Sequence, residues 1–162
     1  ALDPLSPIVN VNYAVLLHFA NRDDEAMQQF QRCLERDNEF LTLHLKLSRF
    51  YADRRQWLEA GNEVRKFAPN LHFPAASATP QGYAQLYSVV INDIKKHGSA
   101  PETWSAMMHA TLGDRDKTIA SLKKAADDHD GEFIIDIRAP ALDFVRTDPR
   151  YIDLMHSIGL QP

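Results

Sequence analysis

Laid against itself with a shift of 34 residues, the chain matches large side chains with large and small with small. Tyr13 falls on Leu47, Ala14 on Ser48, Leu17 on Tyr51, Glu25 on Glu59, Ala26 on Ala60 and Phe30 on Val64. A self-match at a fixed period constrains the fold more than any single residue does. It implies a supersecondary unit that cannot bury its apolar side alone and buries it against its neighbours. The stretch RDDEAMQQFQRCLERDNEF, residues 22–40, shows what the unit is made of. Ala26, Phe30, Cys33 and Leu34 return at three- and four-residue spacing, which marks one face of a helix. Acids open its first turn, where the helix dipole favours them.

The same rhythm runs through the chain, and alternating strand patterns are scarce. Ile8, Val11, Val15, Leu16 and Phe19 predict a first helix, with Ser6 as cap and Pro7 in the first turn. The second spans about Asp23–Asp37. Leu41, Leu45, Leu47, Phe50 and Tyr51 mark a third, and Trp57, Ala60, Val64 and Phe67 a fourth that Pro69 stops. After the segment PNLHFPAASATP comes a helix from about Gln81 to His97, striped by Tyr83, Leu86, Tyr87, Val90, Ile91 and Ile94.

At 162 residues with 44% hydrophobic residues, the chain is long enough for one compact domain with a real core. Its formal charge of −4 argues against a nucleic-acid binder held by a broad basic surface. The longest apolar run, Tyr13–Ala20, is interrupted by His18 and falls far short of the roughly 20 residues of a membrane helix. A single cysteine, Cys33, forms no internal disulfide and favours a reducing compartment, with the cytoplasm as the default.

The repeat resembles the tetratricopeptide repeat, a 34-residue helix-turn-helix with small residues at positions 8, 20 and 27 and bulky ones at 4, 7, 11, 17 and 24. Counted from Pro7, Ala14, Ala26 and Cys33 take the small positions, and Tyr13, Leu17 and Phe30 take bulky ones. A further unit lies in PETWSAMMHATLGDRDKTIASLKKAADD, with Ala106, Leu122 and Ala125 in the small, bulky and small places. Its LGDRD segment is similar to the family's inter-helix turn, Gly113 supplying left-handed geometry. Thr118 at a small position, Phe67 at another, and Asn10, Ser105 and His109 where bulk is usual depart from the pattern. The resemblance implies an all-α fold, a right-handed superhelix of antiparallel helix-turn-helix units with a C-terminal capping helix. Read as a single domain over residues 1–162, the units are about 7–40, 41–70, a degenerate 71–98 and 99–132, with a cap at 133–162.

The stride breaks between Ala60 and Ala84 and resumes from Ala84 to Thr118. A unit that has lost its first helix explains this, its place taken by an extended loop running back along a neighbouring helix. Pro4 falls at the family's proline position 32, so the chain is expected to begin inside an earlier repeat, with possible self-association through the truncated N-terminal end. The tail RAPALDFVRTDPRYIDLMHSIGL resembles the closing segment of tetratricopeptide regions in bacterial multidomain regulators. Asp148 and Pro149 would start its last helix, and Tyr151, Leu154, Met155 and Ile158 would cap the stack.

Catalytic patterns are weak throughout. The seven histidines show no helical pair with metal-ligand spacing and a carboxylate partner. ADDHDGE, residues 126–132, puts Ala126 and Ile137 where a calcium loop needs ligands, and reads instead as a helix end stopped by Gly131. Cys33 at a small packing position reads as a buried thiol. No phosphate loop or nucleophile elbow occurs, so enzyme activity, a metal and a cofactor are not expected.

What the resemblance implies is a groove, because the first helices of stacked units line a concave face. Asn12, Val15, His18, Lys46, Arg49, Trp104 and Met107 take groove positions. Related chaperone cofactors hold peptide carboxylates with Asn, Lys and Arg at such positions, and Asn12 and Lys46 match two of them. Val11 and Val15 stand where that clamp has polar residues. The function expected is a non-catalytic protein- or peptide-binding scaffold inside a larger bacterial protein, with an acidic or carboxylate-bearing partner and neither nucleic acid nor membrane. The alternatives are a self-association module that oligomerises an attached regulatory domain, and a small-molecule sensor.

Overall fold

The computed structural model describes residues 6–75 and 78–161. Within them the chain is all-helical, with nine α-helices, one 3₁₀ segment and no strand. The expectation for Pro4 lies outside the described residues. Two compact units divide the chain, Ala1–Leu86 and Tyr87–Pro162.

The first unit holds α1 (Pro7–Phe19), α2 (Asp23–Arg36), α3 (Leu41–Asp53), α4 (Trp57–Phe67) and the start of α5 (Pro80–His97). Ser6 caps α1 by accepting from the Val9 amide, and Pro7 occupies the first turn. Helices pair as neighbours in sequence, α1 on α2 and α3 on α4, and α1 and α2 also touch α3. Ala14, Ala26 and Ala60 are fully buried beside Phe30 and Val64. Helices approach closely where no bulk separates them, and large neighbours fill the remaining space. At Gly61 the start of α5 comes so near that an added Cβ meets Leu86 Cδ1 at 2.9 Å.

The loop after α4 is partly pinned to it. Arg65 donates to the Pro74 carbonyl at 2.7 Å and lies over the Phe73 ring at 5.8 Å. Residues 73 and 74 therefore lie against the last turns of α4.

The second unit holds the rest of α5, then α6 (Glu102–Thr111), α7 (Arg115–Asp127), α8 (Phe133–Asp136), the 3₁₀ segment Pro140–Val145 and α9 (Pro149–Ser157). α6 packs on α7, and α7 also carries α8, the 3₁₀ segment and α9. Ala106, Leu122 and Ala125 are fully buried. Thr118, where an alanine was expected, is also fully buried and satisfies its hydroxyl on the Asp114 carbonyl at 2.7 Å. Asp148 caps α9, Tyr151 and Met155 are fully buried, and the Tyr151 hydroxyl donates to the Ile137 carbonyl at 3.1 Å.

One turn closes three of the hairpins. After α1, α3 and α6 the residues Asn21, Arg55 and Gly113 adopt left-handed backbone, with φ 58°, 59° and 70°. Each forms the same two bonds. Asn21 N donates to His18 O and Arg22 N to Leu17 O; Arg55 and Gln56 repeat this with Ala52 and Tyr51, and Gly113 and Asp114 with Ala110 and His109. This is the Schellman arrangement, which satisfies the last carbonyls of a helix. Asn21 and Arg55 stand one 34-residue stride apart, and Gly113 occupies the same place in its own hairpin.

The end of α7 corrects the sequence reading. The left-handed residue is His129, φ 53°, not Gly131, because the Asp130 amide closes the turn on Ala125 O. The Asp130 carboxylate then binds the Thr103 amide and hydroxyl and the Glu132 amide, which holds the chain before Gly131 is reached.

Candidate functional site

In the first unit Val15 and His18 are each 7% exposed, and Lys46 only 2%. Asn12 and Arg49 are half-buried. In the second unit Trp104 is 8% and Met107 6% exposed. The reading that had Lys46 gripping a partner is therefore corrected: its ammonium is not presented to solvent. Lys46 sits inside a run of buried residues, Leu43 to Ser48.

Asn12 carries an unsatisfied acceptor. Its Oδ1 is buried and has no hydrogen-bond partner among the described residues. A buried acceptor left unmade costs about 1–3 kcal/mol.

His18 is not a groove residue in the expected sense. Its Nδ1 lies 2.7 Å from Asp23 Oδ1 and its Nε2 3.1 Å from Asp53 Oδ2. Asp23 opens α2 and Asp53 closes α3, so the ring joins three helix ends. Arg54 bonds the other oxygen of Asp23. Burial lowers the affinity of His18 for its proton, but the hydrogen bonds to Asp53 and Asp23 and their charges outweigh it, so its pKa is raised. For Asp23, burial is likewise outweighed by His18 and Arg54, and its pKa is lowered.

A second histidine is held in a similar way. His44 Nδ1 is 2.6 Å from Glu63 Oε2, and its Nε2 is 2.7 Å from the Asn38 carbonyl. Glu63 also receives Lys66 at 2.6 Å. The Glu63 hydrogen bond raises the His44 pKa against the opposing effect of burial. Sequence reading found neither clamp, because each needs acceptors from other segments, 35 residues away for Asp53 and 19 for Glu63.

Two clefts open on the first unit. One of about 530 Å³ is lined by Asn10, Val11, Gln29, Cys33 and Leu43, with Arg32, Arg36, Glu35 and Asp37 around it. The charges cancel, so it has no net electrostatic preference. Inside it, buried Gln29 donates to Asn10 Oδ1 at 3.2 Å, and burial raises the pKa of the Cys33 thiol. The other, about 420 Å³, carries Asp23, Asp24 and Glu59 against Arg54, whose guanidinium lies 5.4 Å over the Phe50 ring. Among the described residues no group of three or more His, Cys, Asp or Glu is arranged to hold a metal ion, and no helix is long and apolar enough to cross a membrane.

No family model matches the chain, and no curated protein or solved structure is significantly similar to it.

Proposed function

We propose that the protein is a non-catalytic scaffold of tetratricopeptide-like hairpins that binds an extended protein or peptide segment, as the interaction or sensing part of a larger bacterial protein. The observation that carries this reading is the recurrence of one turn. Asn21, Arg55 and Gly113 close three hairpins with the same left-handed residue and the same pair of hydrogen bonds. Arrays of one hairpin design bury their apolar sides against each other and leave an extended surface for recognition. Half-buried Asn12 supports a segment whose backbone bonds to its side-chain amide. Half-buried Arg49 supplies the positive charge for an acidic or carboxylate-bearing partner, in place of Lys46.

The test is a fluorescence-polarisation screen of immobilisation-free acidic peptides with free C-terminal carboxylates. Wild type is expected to bind a subset, Asn12→Ala to weaken that binding about tenfold, the equivalent of one lost hydrogen bond, and rising salt to weaken it further. Binding that is indifferent to Asn12→Ala and Arg49→Ala overturns this assignment of the site.

Self-association is the second reading, and one observation favours it. On α1, Ile8 is 40%, Tyr13 37% and Leu16 55% exposed, which leaves apolar surface uncovered on this helix. Sedimentation over a concentration series tests it: a dimer that Leu16→Glu abolishes supports this reading, and a monomer at all concentrations removes it.

A further inference from the structure

The two clamped histidines share a geometry that ordinary packing does not require. A neutral imidazole has one donor nitrogen and one acceptor nitrogen. His18 and His44 each direct both ring nitrogens at acceptors: two carboxylates for His18, a carboxylate and a main-chain carbonyl for His44. Only the imidazolium can satisfy all four contacts. A neutral ring would turn a lone pair toward an oxygen at 2.6–3.1 Å in a buried site, where an unpaired polar group is costly.

We propose that His18 and His44 make the helix packing of the first unit proton-dependent, each charged ring fastening neighbouring helices and releasing them as the pH rises. His18 joins the ends of α1, α2 and α3; His44 joins α3 to α4 and to the turn at Asn38. The ionisable groups facing His18 are Asp23 of α2 and Asp53 of α3, with Arg54 beyond Asp23. Those facing His44 are Glu63 and Lys66 of α4, with Tyr51 of α3 and Glu59 of α4 close to Glu63. Two carboxylates face His18, while His44 meets one carboxylate with one ammonium beyond it. Aromatic edges complete the His18 site, with Phe50 at 4.9 Å and Phe19 at 5.9 Å between ring centres.

The direction of the effect follows from linkage. Both folded pKa values lie above the ordinary histidine value of about 6.5, so the stabilisation is fully present below about pH 6.5 and is lost as pH rises through the folded values. Each ring that is protonated only when folded lowers the folding equilibrium constant up to about tenfold per pH unit in that window, and both together up to about a hundredfold. The device is independent of whether a peptide binds the surface.

Two measurements on the full chain test it. Nitrogen-15 imidazole spectra between pH 6 and 9 are expected to show His18 and His44 keeping both ring protons to higher pH than the histidine of an unstructured reference peptide, as two acceptors per ring require. Titration of either ring with or before the peptide histidine overturns the proposal for that ring. Hydrogen exchange, corrected for the intrinsic pH dependence of the amides, is expected to show α1–α4 losing protection as pH rises while α6 and α7 keep theirs. His18→Gln and His44→Gln should each remove part of that pH dependence. Equal pH dependence in both units, or an unchanged profile in both variants, overturns it, and the wild-type spectra decide the matter if either variant fails to fold.

Discussion

Arg55 and Gly113 hold the same backbone conformation, φ 59° and 70°, at the same place in their hairpins. Glycine adopts it freely, whereas an L side chain places Cβ close to the following carbonyl. Arg55 is exposed, so little packing compensates it. Arg55→Gly is therefore expected to stabilise the first unit by up to about 1 kcal/mol. A urea midpoint that does not rise sinks this account of the turn. Asn21→Gly should gain less, since asparagine tolerates the left-handed region.

Ala26 and Ala60 are both fully buried one stride apart. Replacing either with leucine forces side chains and backbone apart in a filled space, and a loss of roughly 1–3 kcal/mol is expected. Gly61→Ala offers a finer probe. A helical glycine to alanine change normally gains up to about 1 kcal/mol, and here the contact with Leu86 at 2.9 Å is expected to cancel the gain. Chemical denaturation of the three variants checks both statements, and unchanged stability in Ala26→Leu and Ala60→Leu would remove the tight crossings from the description.

The second unit has an acid-side dependence. Hydrogen bonds from the Arg150 guanidinium, at 2.9 and 3.0 Å, lower the Asp148 carboxyl to about 2. A depressed acid contributes stability above its unfolded pKa and loses it as the pH falls through the folded one, so the window is about pH 4 down to 2. Asp148→Asn keeps a capping oxygen for the start of α9 while removing the charge. Circular dichroism of the two proteins across this window is expected to show a shallower acid transition in the variant. Identical transitions would remove Asp148 from the account.

The helical spacing, Ser6 with Pro7, Asp148 with Pro149, Gly113 and the buried alanines were legible in the sequence, because caps, turns and small crossings are local or periodic signals. The clamps were not. His18 pairs with Asp53 and His44 with Glu63 only after hairpins form, and a scattered histidine carries no mark of its distant acceptors. Lys46 misled for the opposite reason: its charge suggested a surface, while the run of buried neighbours around it decides otherwise. At the end of α7, Gly131 carried the stronger local signal, yet Asp130's three hydrogen bonds place the turn two residues earlier.

The recurring turn also shapes how the chain reaches its structure. Each of its three hairpins joins segments adjacent in sequence, so the loops to be closed are short and the entropy lost in closing them is small. Chains dominated by such near-neighbour contacts fold fast, and their cooperative units are local. Partial unfolding should then proceed one hairpin at a time, with the α1–α2, α3–α4 and α6–α7 pairs as separate steps in native-state hydrogen exchange. A protein built this way can lose one hairpin to a binding event or a change of conditions while the others stay folded.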